Sequence, residues 1–188
     1  MTTAPPEVCA VAFKEWAGVC DALGQGRQSL ILRKGGVAEG PGGFRPDHPA
    51  FWLYPTQVHQ AEQGLRTPAG PLPDEAPGVV AIDTLAVVEW TGRIERLDQL
   101  EAIADWHDWT EATVRDRFHY RRPGLWAMAV RVFRQPEPWP VPITPAHLGC
   151  KTWVPLESPW PTSGLVAVVG SEESLGRLDR LRAALGSA

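Results

Sequence analysis

S-L-I-L-R-K-G-G runs from Ser29 to Gly36, and F-W-L-Y-P-T-Q-V-H-Q from Phe51 to Gln60. Leu30, Ile31 and Leu32 form an unbroken apolar run, the pattern of a strand covered on both faces and central to a sheet. Phe51, Trp52, Leu53 and Tyr54 predict a second strand, rich in the aromatics that suit a pleated surface. Each run is closed by residues that packing does not require: Arg33, Lys34, Gly35 and Gly36 after the first, Pro55, Thr56, His59 and Gln60 after the second. If the two strands are neighbours, these polar ends lie at one rim of a sheet, where loops on a rigid scaffold carry binding chemistry.

The 188 residues are 44% hydrophobic and 21% charged, enough apolar material for a substantial core. The 19 prolines break the chain into short pieces and, with 9 tryptophans, argue against a helical bundle. A mixed α and β domain with long, proline-pinned connections fits better. The net charge of -4 excludes a generic polycation, yet six arginines stand against Asp116 alone between Arg115 and Arg134. A local basic patch on an acidic chain can still meet an anion.

Cys9, Cys20 and Cys150 are far apart and fit neither a C-x-x-C pair nor zinc spacing, so reduced thiols in a cytoplasmic protein are expected. Met1 to Val8 lacks the basic and apolar regions of an export signal, and no apolar run approaches the ~20 residues that span a bilayer. No membrane partner is therefore expected.

Working outward, Ala12, Trp16, Val19, Cys20 and Leu23 fall on one helical stripe and predict a helix over 11–23, with Glu15 at its border. Residues 64–78 are a proline and glycine-rich connection. Val79 to Trp90 reads as a long β segment in which Asp83 marks a bend or a turn. Asp98 begins a short helix, and Asp108 with Glu111 predicts a capping box for the next, whose buried face is Val114 and Phe118. Leu125 to Phe133 is a central strand, followed by an extended proline-rich crossing. Cys150 to Leu156 and Leu165 to Val169 are shorter strands. Ser171 is expected to cap a last helix with Leu175, Leu178, Leu181 and Leu185 on one face. The expected fold is α+β: a curved mixed or antiparallel sheet, open or closed into part of a barrel, flanked by helices at 11–23, 98–119 and 171–186. Residues 10–157 form the main domain and 158–188 a C-terminal strand–helix packing element.

The blocks A-F-K-E-W (12–16), L-I-L-R-K-G-G (30–36), F-W-L-Y-P-T with H-Q (51–60), R-F-H-Y (117–120) and G-C-K-T-W-V (149–154) together resemble an uncharacterised bacterial family, a domain of unknown function (DUF1802-like). That resemblance brings no activity and implies that the blocks belong to one domain. The order of helix, strand ending in a basic residue, strand ending Y-P, and V-V-E-W before a helix is similar to the ASCH and EVE branch of PUA-like barrels. R-V-F-R-Q-P-E-P-W-P-V-P resembles the late strand and proline-rich exit of that group. This similarity implies a small barrel with a cleft for RNA or a modified base.

Candidate binding residues follow from residue chemistry. Arg33 and Lys34 precede two glycines that let a backbone approach an anion, although the order is not that of a phosphate loop. The alternative is a strand end emerging into solvent, with Lys34 a surface cation that stability would not miss. His59, followed by Gln60, reads as a general base, a base-reading donor or a capped loop residue, with Thr56 as the cap of a short helix and His48 in the preceding loop. Tyr120, Arg121 and Arg122 interleave an aromatic with cations, the pairing that grips single-stranded nucleic acid. Cys150 and Lys151 set a thiol beside a cation. Tyr54 closes the list.

The leading expectation is a domain that binds single-stranded nucleic acid or a nucleotide-like anion without a cofactor. The alternative is an enzyme, a metal-dependent phosphodiesterase or a small hydrolase acting on a modified base, in which Glu15, Asp83 and Glu89 with Lys34 gather around magnesium or manganese. A protein-interaction module is the third class. No metal ligands, and no oligomeric state, are assigned from the sequence.

Overall fold

Strand pairing, rather than the helical stripe, governs the first segment. In the computed structural model, which describes residues 3–34, 44–56, 64–67, 78–147 and 151–186, Val8–Trp16 is strand β1 and only Ala17–Gly24 is helical, α1. The predicted helix over 11–23 is thus corrected over its first half. β1 runs parallel to β3 (Ala50–Thr56), with Phe13 beside Leu53 and Glu15 beside Pro55, and antiparallel to β6 (Trp153–Pro161). Two ladders and burial on both faces outweigh the weak helix preference of a short segment.

The remaining strands are β2 (Leu30–Arg33), β4 (Val79–Ile94), β5 (Leu125–Pro142) and the two-residue β7 (Val166–Ala167). Among the described residues they form one sheet in the order β2-β5-β4-β3-β1-β6, with β7 on β5. Among the described pairings only β1–β3 is parallel, so the sheet is mixed, as expected. It is not closed: β2 and β6 are its ends. β5 is central as predicted. β2 is buried as predicted, but among the described residues it pairs only with β5 and is an edge strand.

The proline-rich stretch continues β5, with Val141 opposite Val80 and Trp139 opposite Ile82. Asp83 marks a register shift within one continuous β4, a bulge rather than a turn between two strands. A second shift falls at Glu89.

One face of the sheet and the helices share a core that includes Phe13, Leu30, Leu53, Met128, Val114, Phe118, Leu178 and Leu181. The other face carries Trp52, Tyr54, Leu85 and Phe133. The expected helix over 98–119 is broken into α2 (Leu97–Ala102), a single 3-10 turn and α3 (Glu111–His119). The α3 cap is Thr110, whose hydroxyl accepts the Thr113 N–H. Asp108 instead takes Arg27 and Thr67. In α4 (Ser171–Leu185) the N-cap is Gly170, and Ser171 accepts from Arg131.

Candidate functional site

Flat, the sheet would hold β2 four strand spacings from β1, about 19 Å. Arg33 at the end of β2 nevertheless donates through Nη2 to the Lys14 carbonyl on β1 at 3.0 Å and to Thr152 Oγ1 at 3.2 Å. The sheet therefore curls until its two sides approach, and a side chain spans the remaining gap. Thr56 at the end of β3 donates to the Glu15 carbonyl at 3.1 Å. The polar ends of β2 and β3 thus do meet at one rim. They meet through β1 and curvature, since β5 and β4 separate the two strands in the ladder.

Within the rim, Glu15 is 1% exposed. Its Oε1 accepts the Trp16 N–H at 2.8 Å, and Arg33 Nη1 lies 3.5 Å from Oε2. Burial raises the Glu15 pKa, against the opposing effects of Arg33, the Trp16 N–H and Arg117. The Arg33 guanidinium also lies 4.8 Å from the centre of the Phe13 ring. Arg117 covers Trp16 at 5.0 Å.

Lys34 is not the free surface cation that its position suggested. Its ammonium donates to the carbonyls of Phe118 at 2.8 Å, Gly124 at 2.7 Å and Arg122. Three converging acceptors match the three donors of an ammonium. Burial, and then the charge of Arg93, lower its pKa. Lys34 thereby ties the exit of α3 to the end of β2.

That exit carries Tyr120, 49% exposed, with the Arg121 guanidinium 5.1 Å from its ring centre. Arg121 has a φ of 61°, in the left-handed region, and Arg122 follows, exposed. Beside it a cross-strand row runs Arg33, Trp126, Arg93 over β2, β5 and β4. Arg93 stacks on Trp126 at 5.4 Å. A methyl group built on Gly124 would meet Arg93 Nη2 at 2.9 Å, so the row and the turn are contiguous. The sequence reading missed Arg93 and Trp126, because only the ladder register reveals that they join the site.

Tyr54 is buried, its ring 5.8 Å from both the Lys14 ammonium and the His147 ring. Lys151 is exposed next to Thr152. Gly35, Gly36, His59, Gln60 and Cys150 lie outside the described residues.

The proposed metal-binding carboxylates are each engaged separately. Asp83 accepts from Thr84 at 2.6 Å and from Arg134, and Glu89 accepts from Ser174 at 3.3 Å. Among the described residues no three His, Cys, Asp or Glu side chains gather into a metal-binding group. No helix among those residues is long and apolar enough to cross a membrane.

The sequence profile of a family described as "Domain of unknown function (DUF1802)" matches residues 12–179. A comparison with curated proteins finds no match. Among solved structures, ASCH from Zymomonas mobilis is 13% identical with a TM-score of 0.46, covering 90% of this chain and 93% of that one. Two single-substitution mutants of the same protein give TM-scores of 0.44 and 0.42 at 12% and 13% identity, each covering 90% of this chain and 94% and 96% of theirs.

Proposed function

From the premise that this chain belongs to the DUF1802 family, a domain of unknown function, we propose that it binds single-stranded nucleic acid along the rim formed by Arg93, Trp126, Tyr120, Arg121 and Arg122. The observation that carries this reading is that, among the described residues, arginines without a carboxylate partner stand against open aromatic rings. Arg27, Arg96, Arg115, Arg134 and Arg177 each hold a carboxylate. Among the described residues no ion pair involves Arg93, Arg121 or Arg122; Arg93 lies over the half-buried Trp126 ring, Arg121 over the exposed Tyr120 ring, and exposed Arg122 follows in the same turn.

A base stacks on the open side of Tyr120 while phosphates meet the arginines, a combination indifferent to base identity. The net charge of -4 restricts such binding to this patch. Duplexes keep their bases stacked inside and offer Tyr120 nothing, so single strands are preferred.

Fluorescence anisotropy with a labelled oligouridine tests this. Tyr120→Ala should weaken binding by about tenfold or more, the usual loss of one stacked base. Arg122→Ala should lower the slope of log K against log salt by about 0.7, one phosphate contact on a single strand. Equal affinity of both variants and the parent would defeat the reading.

A further inference from the structure

This inference rests on the nucleic-acid reading, since it concerns how Arg33, which extends the Trp126–Arg93 row of that interface, takes up an anion. Glu15 Oε2 is buried and has no hydrogen-bond partner. Arg33 Nη1 faces it at 3.5 Å, longer than an N–H···O bond, while Nη2 is committed to Lys14 and Thr152. Charged and titratable groups bear on this carboxyl from three elements. They are Arg33 from β2, Arg117 from α3 and the buried thiol of Cys20 from α1, whose sulfur donates to the Glu15 carbonyl at 3.9 Å.

Arg33 keeps 23% of its side chain exposed, so an incoming oxyanion can reach the guanidinium that balances Glu15. Once it does, two negative groups share one cation, and one of them lies where solvation is poorest. A carboxylate in that position is neutralised by a proton rather than held charged. We propose that the Glu15–Arg33 pair makes oxyanion binding at this rim proton-linked: a phosphate- or sulfate-type oxygen takes Arg33, and Glu15 takes one proton from solvent. The direction of the Glu15 pKa agrees, because burial already favours its neutral form.

The test is calorimetric titration between about pH 5 and pH 8, in buffers of differing ionisation enthalpy. One arm uses an oligouridine of about ten nucleotides, the other inorganic sulfate, and neither probe titrates in this range. The parent should take up as much as one proton, its affinity falling with rising pH by up to about tenfold per unit. Glu15→Gln, near in shape and always neutral, should lose that dependence and bind more tightly than the parent at the upper end of the range. An unchanged pH slope in Glu15→Gln would assign the effect to histidines and overturn the inference. Should that variant fail to fold, the parent alone decides, for binding without proton uptake also overturns it. Sulfate bound with a proton but oligouridine not bound would defeat the nucleic-acid reading and leave this inference standing. Oligouridine bound without proton uptake would do the reverse, and no binding of either probe would end both.

Discussion

Lys34→Ala should cost far more than the loss of a surface charge. Of the three carbonyls that its ammonium holds, that of Arg122 is exposed, and water replaces the lysine there. The Phe118 carbonyl is partly buried but keeps the Gly124 N–H at 3.1 Å. The Gly124 carbonyl is partly buried as well and depends on Lys34. Two partly buried bonds to a charged donor are each worth about 1.5 kcal/mol at the low end, offset by the rotamer freedom that alanine does not lose. A net destabilisation of about 2 kcal/mol follows, with a fall in Tm of roughly 4 to 8 °C for a chain of this size. Lys34→Arg should recover only part of it, because a planar guanidinium cannot aim at three converging acceptors as an ammonium does. Urea and thermal unfolding would measure both, with Lys151→Ala as an exposed control expected within about 0.5 kcal/mol of the parent. A Lys34→Ala protein as stable as that control would refute the argument that this lysine ties α3 to β2.

Other outcomes follow from the same geometry. His107 is buried with Nδ1 accepting the Trp109 N–H, and desolvation, helped by Arg66, lowers its pKa to about 4. The unfolded chain takes that proton near pH 6.5 and the folded chain does not, so stability present above pH 6.5 should drain away towards pH 4, by about 3 kcal/mol in all. Urea midpoints across this range should show the loss in the parent and much less of it in His107→Gln. Thr110→Ala should cost about 1 kcal/mol in the same assay through loss of the α3 cap. Arg121→Gly should gain up to about 1 kcal/mol, relieving a left-handed non-glycine residue. It should also weaken oligouridine binding, and a variant that is stabilised without any loss of affinity would remove Arg121 from the interface.

The sequence displays its apolar periods more clearly than its partners. Leu125 to Phe133 and the buried face of α3 read correctly because each pattern is local. Val11 to Trp16 did not, since Ala12, Trp16 and Val19 satisfy a helical stripe while the pairing of Phe13 and Glu15 with β3 depends on residues about 40 positions away. A helix border fits either a partly buried or a solvated Glu15, and only the pairing with β3 shows that it is fully buried. Neither reading of Lys34, anion ligand or surface cation, reveals its structural tie, because its acceptors lie 84 to 90 residues along the chain. Asp108 and Ser171 looked like helix caps by residue type, but long-range arginines claim both. The interruption of β4 at Asp83 was legible, because an acidic residue in an apolar run rarely continues a ladder unchanged.

The rim is one of several aromatic clusters among the described residues. On the opposite face of the sheet, half-buried Trp139 and Trp160 pack on buried Trp52 with ring centres 4.5 to 5.5 Å apart. Photocrosslinking with an oligonucleotide carrying 5-bromouridine, mapped by mass spectrometry, separates the rim from that cluster directly. Crosslinks at Tyr120 or Trp126, abolished by excess unlabelled oligouridine, are the expected result. Competed crosslinks confined to Trp139 or Trp160 would contradict the account.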